Sequence, residues 1–192
     1  ALITGTVDGG NAATESNSLL GRDAGTLWRI TANNAGSLTD TTTSTLIISS
    51  FVDFQNLTGG SGVDTFRFSD GVTLTNNGMI DGGVGTDVLE GNLSANVFVI
   101  TGVNEGTYDT VDFTGVESLL GRSGADSFTF DTGSSISGLL DGGTGTDILT
   151  GAADGGDFFI VTGSPNAGDL FDTDDGATPL NGIGTPRTGG GF

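Results

Sequence analysis

The sequence predicts an all-β protein, specifically a right-handed parallel β-solenoid with about 20 residues per coil inside a superrepeat of about 60 residues. Three observations lead to this prediction: a recurring glycine-rich nonapeptide, a longer internal repeat, and a composition typical of turns and short strands. The 192 residues include 36 glycines and 12 phenylalanines, but only one Trp and one Tyr. No stretch keeps the apolar spacing of an amphipathic helix, so strands and turns are expected throughout.

The nonapeptide follows the pattern G-G-x-G-x-D-x-U-x, in which U is a large apolar residue. Complete copies occupy 59–67, 82–90 and 142–150, and a fourth copy at 121–129 has Arg122 in place of the second glycine. Glycine permits positive φ, so each copy predicts a tight turn on which backbone carbonyls converge. The x-U-x tail predicts a short strand whose apolar residue points into the core.

The longer repeat sets the predicted organisation of the chain. Residues 51–68 align with 113–130, and the segment at 81–91 matches the one at 141–151. A third, incomplete copy is indicated by the match of 27–36 to 97–106. The predicted division of this single solenoid domain is an incomplete first repeat at 1–50, a second repeat at 51–112, a third at 113–175, and a C-terminal cap or linker at 176–192.

Each long repeat divides into segments of about 20 residues, a length that suits one coil of a parallel solenoid. Inward side chains of stacked coils form columns, and phenylalanine stacking on phenylalanine would explain the abundance of that residue. An antiparallel sandwich is the alternative, but it does not account for the short period within the long one. The predicted inward residues are Phe54, Leu57, Phe66, Phe68, Leu74, Ile80, Val88, Leu89, Phe98, Ile100, Phe113, Leu119 and Phe128.

Charge and composition exclude several function classes. The formal net charge is −19, with five arginines and no Lys, His or Cys. Nucleic acid is therefore not an expected partner, because nothing would replace the counterions of its phosphates. No apolar run approaches the length of a membrane span, so insertion into a membrane is not expected either. The charge favours cation binding or the solubility of a secreted surface.

The nonapeptide aspartates are the best candidate metal ligands. A carboxylate oxygen added to converging carbonyls makes the all-oxygen cage that Ca²⁺ prefers. The alternative is that each Asp only forms the turn, by accepting backbone N–H groups. The sequence leaves both roles open. The candidate Ca²⁺ ligands are the carboxylates of Asp64, Asp87, Asp126 and Asp147, with the carbonyls of Gly59, Ser61, Gly82, Val84, Gly142 and Thr144.

Two resemblances extend this interpretation. The nonapeptides resemble the calcium-binding repeats of RTX proteins, whose tandem copies form a parallel β-roll that holds ions between coils. Here the copies start at positions 59, 82, 121 and 142 instead of running back to back. The longer unit, N-L-T-G-G-S-G-x-D-T-F followed by D-G-G-x-G-T-D-x-L, resembles repeats of large secreted bacterial proteins such as filamentous-haemagglutinin-like adhesins. That resemblance implies export, a fibrous shape, and roles in adhesion or extracellular matrix, and it names no ligand. For such a role at the cell surface, a glycan or another cell-surface ligand is the partner to expect.

An enzymatic role is not expected. Active sites on solenoid folds need a general base or paired carboxylates, with Lys or Arg to stabilise developing negative charge. The densest carboxylate run here is Asp172, Asp174 and Asp175, which is typical of a solvated acidic loop.

The sequence therefore predicts a structural, secreted module that is not an enzyme. Because residues 1–50 begin within a repeat, we expect the module either to assemble end to end into a filament or to belong to a longer chain. One alternative is a calcium-responsive, RTX-like carrier domain of a secreted protein, and a third is a carbohydrate-active β-helix enzyme.

Overall fold

A computed structural model describes residues 2–10, 14–152, 158–161, 168–172 and 178–179. All regular secondary structure in these ranges is β, which confirms the all-β prediction. Over the same ranges, no helix occurs that is long and apolar enough to span a membrane. Most of the predicted cap at 176–192 lies outside the described residues, as do Asp174 and Asp175.

The chain divides into two compact units, and its strands are numbered here along the chain. The first unit comprises Ala1–Glu90 and Thr110–Val116, and the second comprises Gly91–Asp109 and Glu117–Phe192. Strands of the first unit are β1 (Ile3–Asp8), β2 (Ser18–Leu20), β3 (Thr26–Ala32), β4 (Ala35–Asp40), β5 (Leu46–Val52), β6 (Asn56–Gly60), β7 (Thr65–Phe68), β8 (Met79–Gly83), β9 (Val88–Glu90) and β12 (Val111–Thr114). Strands of the second unit are β10 (Val97–Gly102), β11 (Glu105–Tyr108), β13 (Ser118–Leu120), β14 (Ser127–Phe130), β15 (Leu140–Asp141), β16 (Ile148–Thr150), β17 (Phe158–Val161), β18 (Gly168–Asp172) and β19 (Thr178–Pro179).

Parallel and antiparallel pairing are combined in the first unit. One set of strands runs in the order β12-β8-β6-β2, and all of its pairs are parallel. The other set runs β1-β5-β4-β3-β7-β9. Its outer pairs are parallel, whereas β3, β4 and β5 form an antiparallel meander. The sheets are therefore mixed and not uniformly parallel.

The second unit repeats this combination. Strands β16, β14 and β10 pair in parallel, and β10 then forms an antiparallel hairpin with β11. Strands β13 and β15 make a separate parallel pair. Strands β17, β18 and β19 form an antiparallel set of three.

Coil length varies because hairpins are inserted between coils. Equivalent residues on consecutive coils are 23 residues apart at Asp64 and Asp87 and 21 apart at Asp126 and Asp147, close to the predicted length. The step from Thr26 to Asp64 takes 38 residues, because it includes the whole β3–β4–β5 meander. The aligned blocks at 27–36 and 97–106 thus share one structure, a hairpin, which the sequence comparison did not anticipate.

The tips of both hairpins are tied to the following coil by an asparagine. Asn34 and Asn104 have φ of 55° and 56°, in the left-handed region that Asn tolerates better than most residues. Asn34 Oδ1 accepts the amide of Thr75 at 2.7 Å, and its Nδ2 donates to the Thr75 hydroxyl at 2.7 Å. Asn104 makes the same two bonds with Ser137, at 2.9 and 3.0 Å. Each hairpin is thereby fixed to the stack.

Aromatic side chains stack between coils, as predicted. The rings of Phe98 and Phe128 lie 4.7 Å apart and are almost parallel, at 3°. Trp28 stacks on Phe66 at 5.5 Å, and Leu89 follows Phe66 in the same column.

Every predicted inward residue is buried except Val88, which is only half-buried. The prediction for Val88 was wrong because successive side chains of a strand point to opposite faces, and Leu89 takes the inward position.

Removing one ring of the Phe98 column tests this core. We expect Phe98→Ala to lower the free energy of unfolding by about 3–5 kcal/mol, since a fully buried ring leaves a cavity. Val97→Ala, next to it on the exposed face, is the matched control and should change stability by less than about 0.5 kcal/mol. Urea unfolding followed by circular dichroism measures both. Equal losses in the two variants would contradict the stacked core.

Candidate functional site

The nonapeptide aspartates of the first unit form a ladder from coil to coil. Asp64 Oδ1 accepts the amide of Thr26 at 2.7 Å and also the Thr26 hydroxyl. The amide of Asp64 donates in turn to Asp87 Oδ1, again at 2.7 Å. All three residues are fully buried. The carboxylates therefore lie inside the corner of each coil, not on its rim.

A second ladder has the same construction in the second unit. Asp126 Oδ1 accepts the amide of Asn96 at 2.8 Å and its side-chain Nδ2 at 2.6 Å. The amide of Asp126 donates to Asp147 Oδ1 at 3.0 Å. Asp126 is buried and Asp147 is half-buried. In both ladders a neutral residue leads and two aspartates follow.

The first glycine of each motif makes room for the aspartate of the same motif. A Cβ atom added to Gly59 would lie 2.5 Å from Asp64 Oδ2, and one added to Gly142 would lie 2.6 Å from Asp147 Oδ2. Real Cβ atoms are essentially never this close to a neighbouring heavy atom. Neither glycine has a positive φ, so the requirement at this position is space and not backbone conformation.

The second glycine supplies the positive φ that the motif predicted. Gly60, Gly83 and Gly143 have φ of 136°, 91° and 87°. Arg122, which replaces this glycine in the fourth copy, keeps a φ of 78°. An L-residue is strained in this region, so the turn holds its shape even without glycine.

Carbonyl oxygens of the next coil approach the same corners. The carbonyl of Gly82 points at Gly59, and that of Gly142 would lie 2.6 Å from a Cβ atom on Gly121. At Gly59 and at Gly121, a glycyl carbonyl and the Oδ2 atom of an aspartate thus both lie close to the position that a Cβ atom would occupy. Both are hydrogen-bond acceptors, so a donor or a cation would be stabilised there.

Burial controls the electrostatics of the ladders. It raises the pKa of Asp64, against the hydrogen bonds from Thr26 that lower it. Burial likewise raises the pKa of Asp126; the bonds from Asn96 oppose this shift, and the charges of Asp147 and Asp109 add to it.

One oxygen in most ladder carboxyls lacks a donor. The Oδ2 atoms of Asp64, Asp126 and Asp147 are buried and accept no hydrogen bond from the described residues. A buried acceptor left without a donor is costly, so a proton or a cation bound at these three atoms would be stabilising.

Asn96 belongs to a buried polar cluster that includes a tyrosine. The Tyr108 hydroxyl donates to Asn96 Oδ1 at 3.1 Å and accepts the amide of Asn92 at 3.1 Å. Burial strongly raises the pKa of Tyr108, so its hydroxyl stays protonated. Asn96 Nδ2 also donates to the carbonyl of Gly121 at 3.2 Å. An amide at this ladder position therefore supplies the donor that the aspartates lack.

Sequence reasoning missed the two leading residues, Thr26 and Asn96. Each comes five residues after a glycine, Gly21 or Gly91, and just before an alternating apolar strand. That spacing is the signal that could have found them. Both were overlooked because the nonapeptide pattern has an aspartate at its sixth position, whereas Thr26 and Asn96 join the ladder by donating side-chain hydrogen bonds to the aspartate of the next coil.

The predicted carbonyl ligands fall into two groups. Ser61, Val84 and Thr144 are exposed on the rim of their corners. The carbonyl of Thr144 accepts the amide of Gly124 at 3.0 Å.

The carbonyls of Gly59, Gly82 and Gly142 face the glycine of the preceding coil. Ca²⁺ takes about six to eight oxygens, and in the described part of the chain no three acidic side chains come together. The aspartates accept backbone amides, but from the preceding coil and not from their own turn. Calcium binding stays a prediction.

No family model, curated protein or solved structure matches the chain. The resemblance to RTX and adhesin repeats therefore depends on the motifs alone.

Substituting the first glycine tests the tight corner. We expect Gly59→Ala to destabilise the protein by about 3 kcal/mol, because the new methyl group would overlap Asp64 Oδ2 and the Gly82 carbonyl. Gly5→Ala is the control, since nothing lies within 4 Å of a Cβ atom there. Thermal and urea unfolding compare the two. If Gly59→Ala were as mild as Gly5→Ala, the carboxylate would not occupy the corner.

The raised pKa of Asp64 predicts the sign of a pH dependence. Its stabilising contribution is present below the unfolded pKa, about 3.9, and is lost as pH rises through the raised folded pKa. As pH rises above about 4, the wild type should therefore lose stability relative to Asp64→Asn.

Asp40 is a control with the opposite pH dependence of stability. Backbone amides, that of Thr43 above all, hold its pKa below the usual range, so its contribution disappears as pH falls. Wild type should lose stability relative to Asp40→Asn only on the acid side. Unfolding in urea at a series of pH values measures both differences, and parallel curves for wild type and Asp64→Asn would contradict the assignment.

Proposed function

We propose that this chain is a structural module of a secreted, extracellular fibre or adhesin, and that it associates end to end with further copies. Its fold in this proposal is a right-handed parallel β-solenoid with antiparallel hairpins inserted between coils. The observation that carries the proposal is a set of open strand edges. Strands β1, β2, β15 and β16 each have a strand neighbour on one side only in the described part of the chain.

Open edges are templates for further pairing, because each presents unpaired amide and carbonyl groups. Exposed apolar residues lie on or beside three of them, namely Ile3 at β1, Leu20 in β2 and Ile148 in β16. Soluble proteins commonly protect such edges with lysine, proline or inward charges. None of the four strands contains a lysine or a proline. This composition favours association with another strand.

The hydrogen bonds between coils also support a structural role. The ladders join consecutive coils through carboxylates and amides that both belong to the chain. The sequence has no His and no Lys to act as a base or to stabilise an anion, which favours a protein that is not an enzyme. Its charge of −19 favours solubility outside the cell and disfavours nucleic acid. A glycan or another cell-surface ligand is the partner that the adhesin resemblance suggests.

A calcium-responsive carrier domain is the second candidate. The Oδ2 atoms of Asp64, Asp126 and Asp147, buried without a donor, favour it because a cation would satisfy them. In that case the ions would also offset the repulsion among the negative charges and would be needed for folding.

Metal dependence separates the two candidates. We expect a β-type circular dichroism spectrum both in EDTA and in millimolar Ca²⁺, with fibres visible by negative-stain microscopy in both. Folding in EDTA is expected because the buried aromatic and aliphatic columns need no metal. A chain that is unfolded in EDTA and folds only with Ca²⁺ would support the carrier domain instead. Monodisperse particles at high concentration in both solutions would exclude the filament.

A further inference from the structure

Strands β10, β14 and β16 of the second unit form a parallel set with one face turned away from the core. Phe98 and Phe128 point inward and their neighbours point outward, because buried and more exposed positions alternate along these strands. Each outward residue of β14 pairs with one residue on β10 and one on β16. The outward residues form two rows across the three strands, here called the β14 face: Val97, Ser127 and Ile148 in the first row, and Val99, Thr129 and Thr150 in the second.

The β14 face carries no charge, although the formal net charge of the chain is −19. Outward positions of the first unit are different. Strands β3, β7 and β9 present a row of Arg29, Arg67 and Glu90, and strands β8 and β12 present Asp81 and Asp112. Two copies of so acidic a chain repel each other, and the repulsion at a contact is smallest where both surfaces are uncharged. The β14 face is therefore well suited to meet a second copy.

Two exposed apolar side chains lie symmetrically on this face. Val97 is 49% exposed and Ile148 is 59% exposed. They flank Ser127 in the same row, one on each neighbouring strand, and so lie about 4.8 Å to either side of β14. A two-fold axis along β14 exchanges the positions of β10 and β16. Val97 of each copy then faces Ile148 of the other, and apolar surface is buried twice.

The residues on the axis also suit such a contact. Ser127 and Thr129 belong to β14, so each would face the same residue of the second copy. Their side chains are small, and a hydroxyl group both donates and accepts. An identical residue is therefore a suitable hydrogen-bond partner, directly or through a water molecule.

We propose that the β14 face packs against the β14 face of a second copy of this chain, about a two-fold axis along β14. Sheets packed face to face lie about 10 Å apart, with strand directions within about 30° of each other. The contact is isologous, because the same surface serves on both copies, and it closes with two chains. It uses a sheet face and no open strand edge. The inference thus goes beyond the proposed end-to-end association, and it joins chains or fibres side by side.

The size of the face sets the expected strength of this pairing. Three strands and two rows of side chains cover about 200 Å² per copy, whereas a stable interface buries roughly 800 Å² per partner. We therefore expect a weak dimer, with a dissociation constant of about 0.1–1 mM for isolated chains. Along a fibre many such faces would act together, so that a weak contact suffices for lateral association.

A charge exchange at Thr129 tests the axis directly. In Thr129→Lys or Thr129→Glu alone, like charges face each other, so dimerisation should weaken about tenfold. An equimolar mixture of the two variants should restore it, because the new ammonium group then faces the new carboxylate. Thr65→Lys and Thr65→Glu are the matched controls, since Thr65 is also half-buried and outward on a strand with two parallel neighbours. Neither control variant nor their mixture should change dimerisation by more than about twofold.

Sedimentation equilibrium up to about 1 mM protein measures the association, and circular dichroism checks the fold of each variant. Wild-type dimerisation should strengthen with NaCl, because exposed Asp131 follows β14 and comes near its own copy at the border of the contact. If the Thr129 variants associate like wild type, or if their mixture associates no better than either alone, pairing about this axis is wrong.

Negative-stain microscopy of the same samples separates this inference from the proposed end-to-end association. Fibres that form in wild type without any effect of the Thr129 variants would leave end-to-end association standing and exclude pairing of the β14 face. Dimers that respond to Thr129 as described, without fibres, would support the face and exclude end-to-end growth. Wild type that stays monomeric at every concentration and salt level would contradict both.

Discussion

A buried carboxylate that accepts the amide of the preceding coil is the interaction on which the rest of this structure depends. It fixes the corner of each coil, because Oδ1 binds the coil before it while Oδ2 lies against the glycine five residues earlier. Asp64 and Asp126 therefore join consecutive coils instead of lying on the surface. The requirement for glycine follows from the same contact, since any side chain at Gly59 would displace the carboxylate.

Two further features depend on the register that these hydrogen bonds set between coils. When the corners are in register, Phe98 lies directly against Phe128, and Trp28 lies against Phe66. Hairpins can be inserted between coils without disturbing the stack, since Asn34 fastens the β3–β4 tip to the following coil. The same chain can thus combine parallel stacking of coils with antiparallel hairpins of different length, which explains why the coils differ in length.

Much of the fold could be predicted from the sequence, because glycine spacing and apolar alternation report directly on corners and strands. The buried columns were found in this way, apart from Val88. The hairpins were not, since the apolar run that forms β10 reads like any other strand and the turn at Asn104 lacks glycine at its left-handed position. At the site, the motif located the aspartates but not their environment. Whether a carboxylate at position 64 points outward to a cation or inward to an amide depends on the packing of the next coil, which the spacing of the motif does not encode.

Hydrogen exchange of the ladder amides, measured by NMR in EDTA, tests this account most directly. The amides of Asp64 and Asp126 donate to ladder carboxylates on the next coil, so they should exchange as slowly as core strand amides and far more slowly than those of the exposed corner residues Val63 and Thr86. Protection of both amides without metal is the predicted result. Exchange at the rate of the corner residues, with protection appearing only when Ca²⁺ is added, would show that the carboxylates bind the ion and not the neighbouring coil.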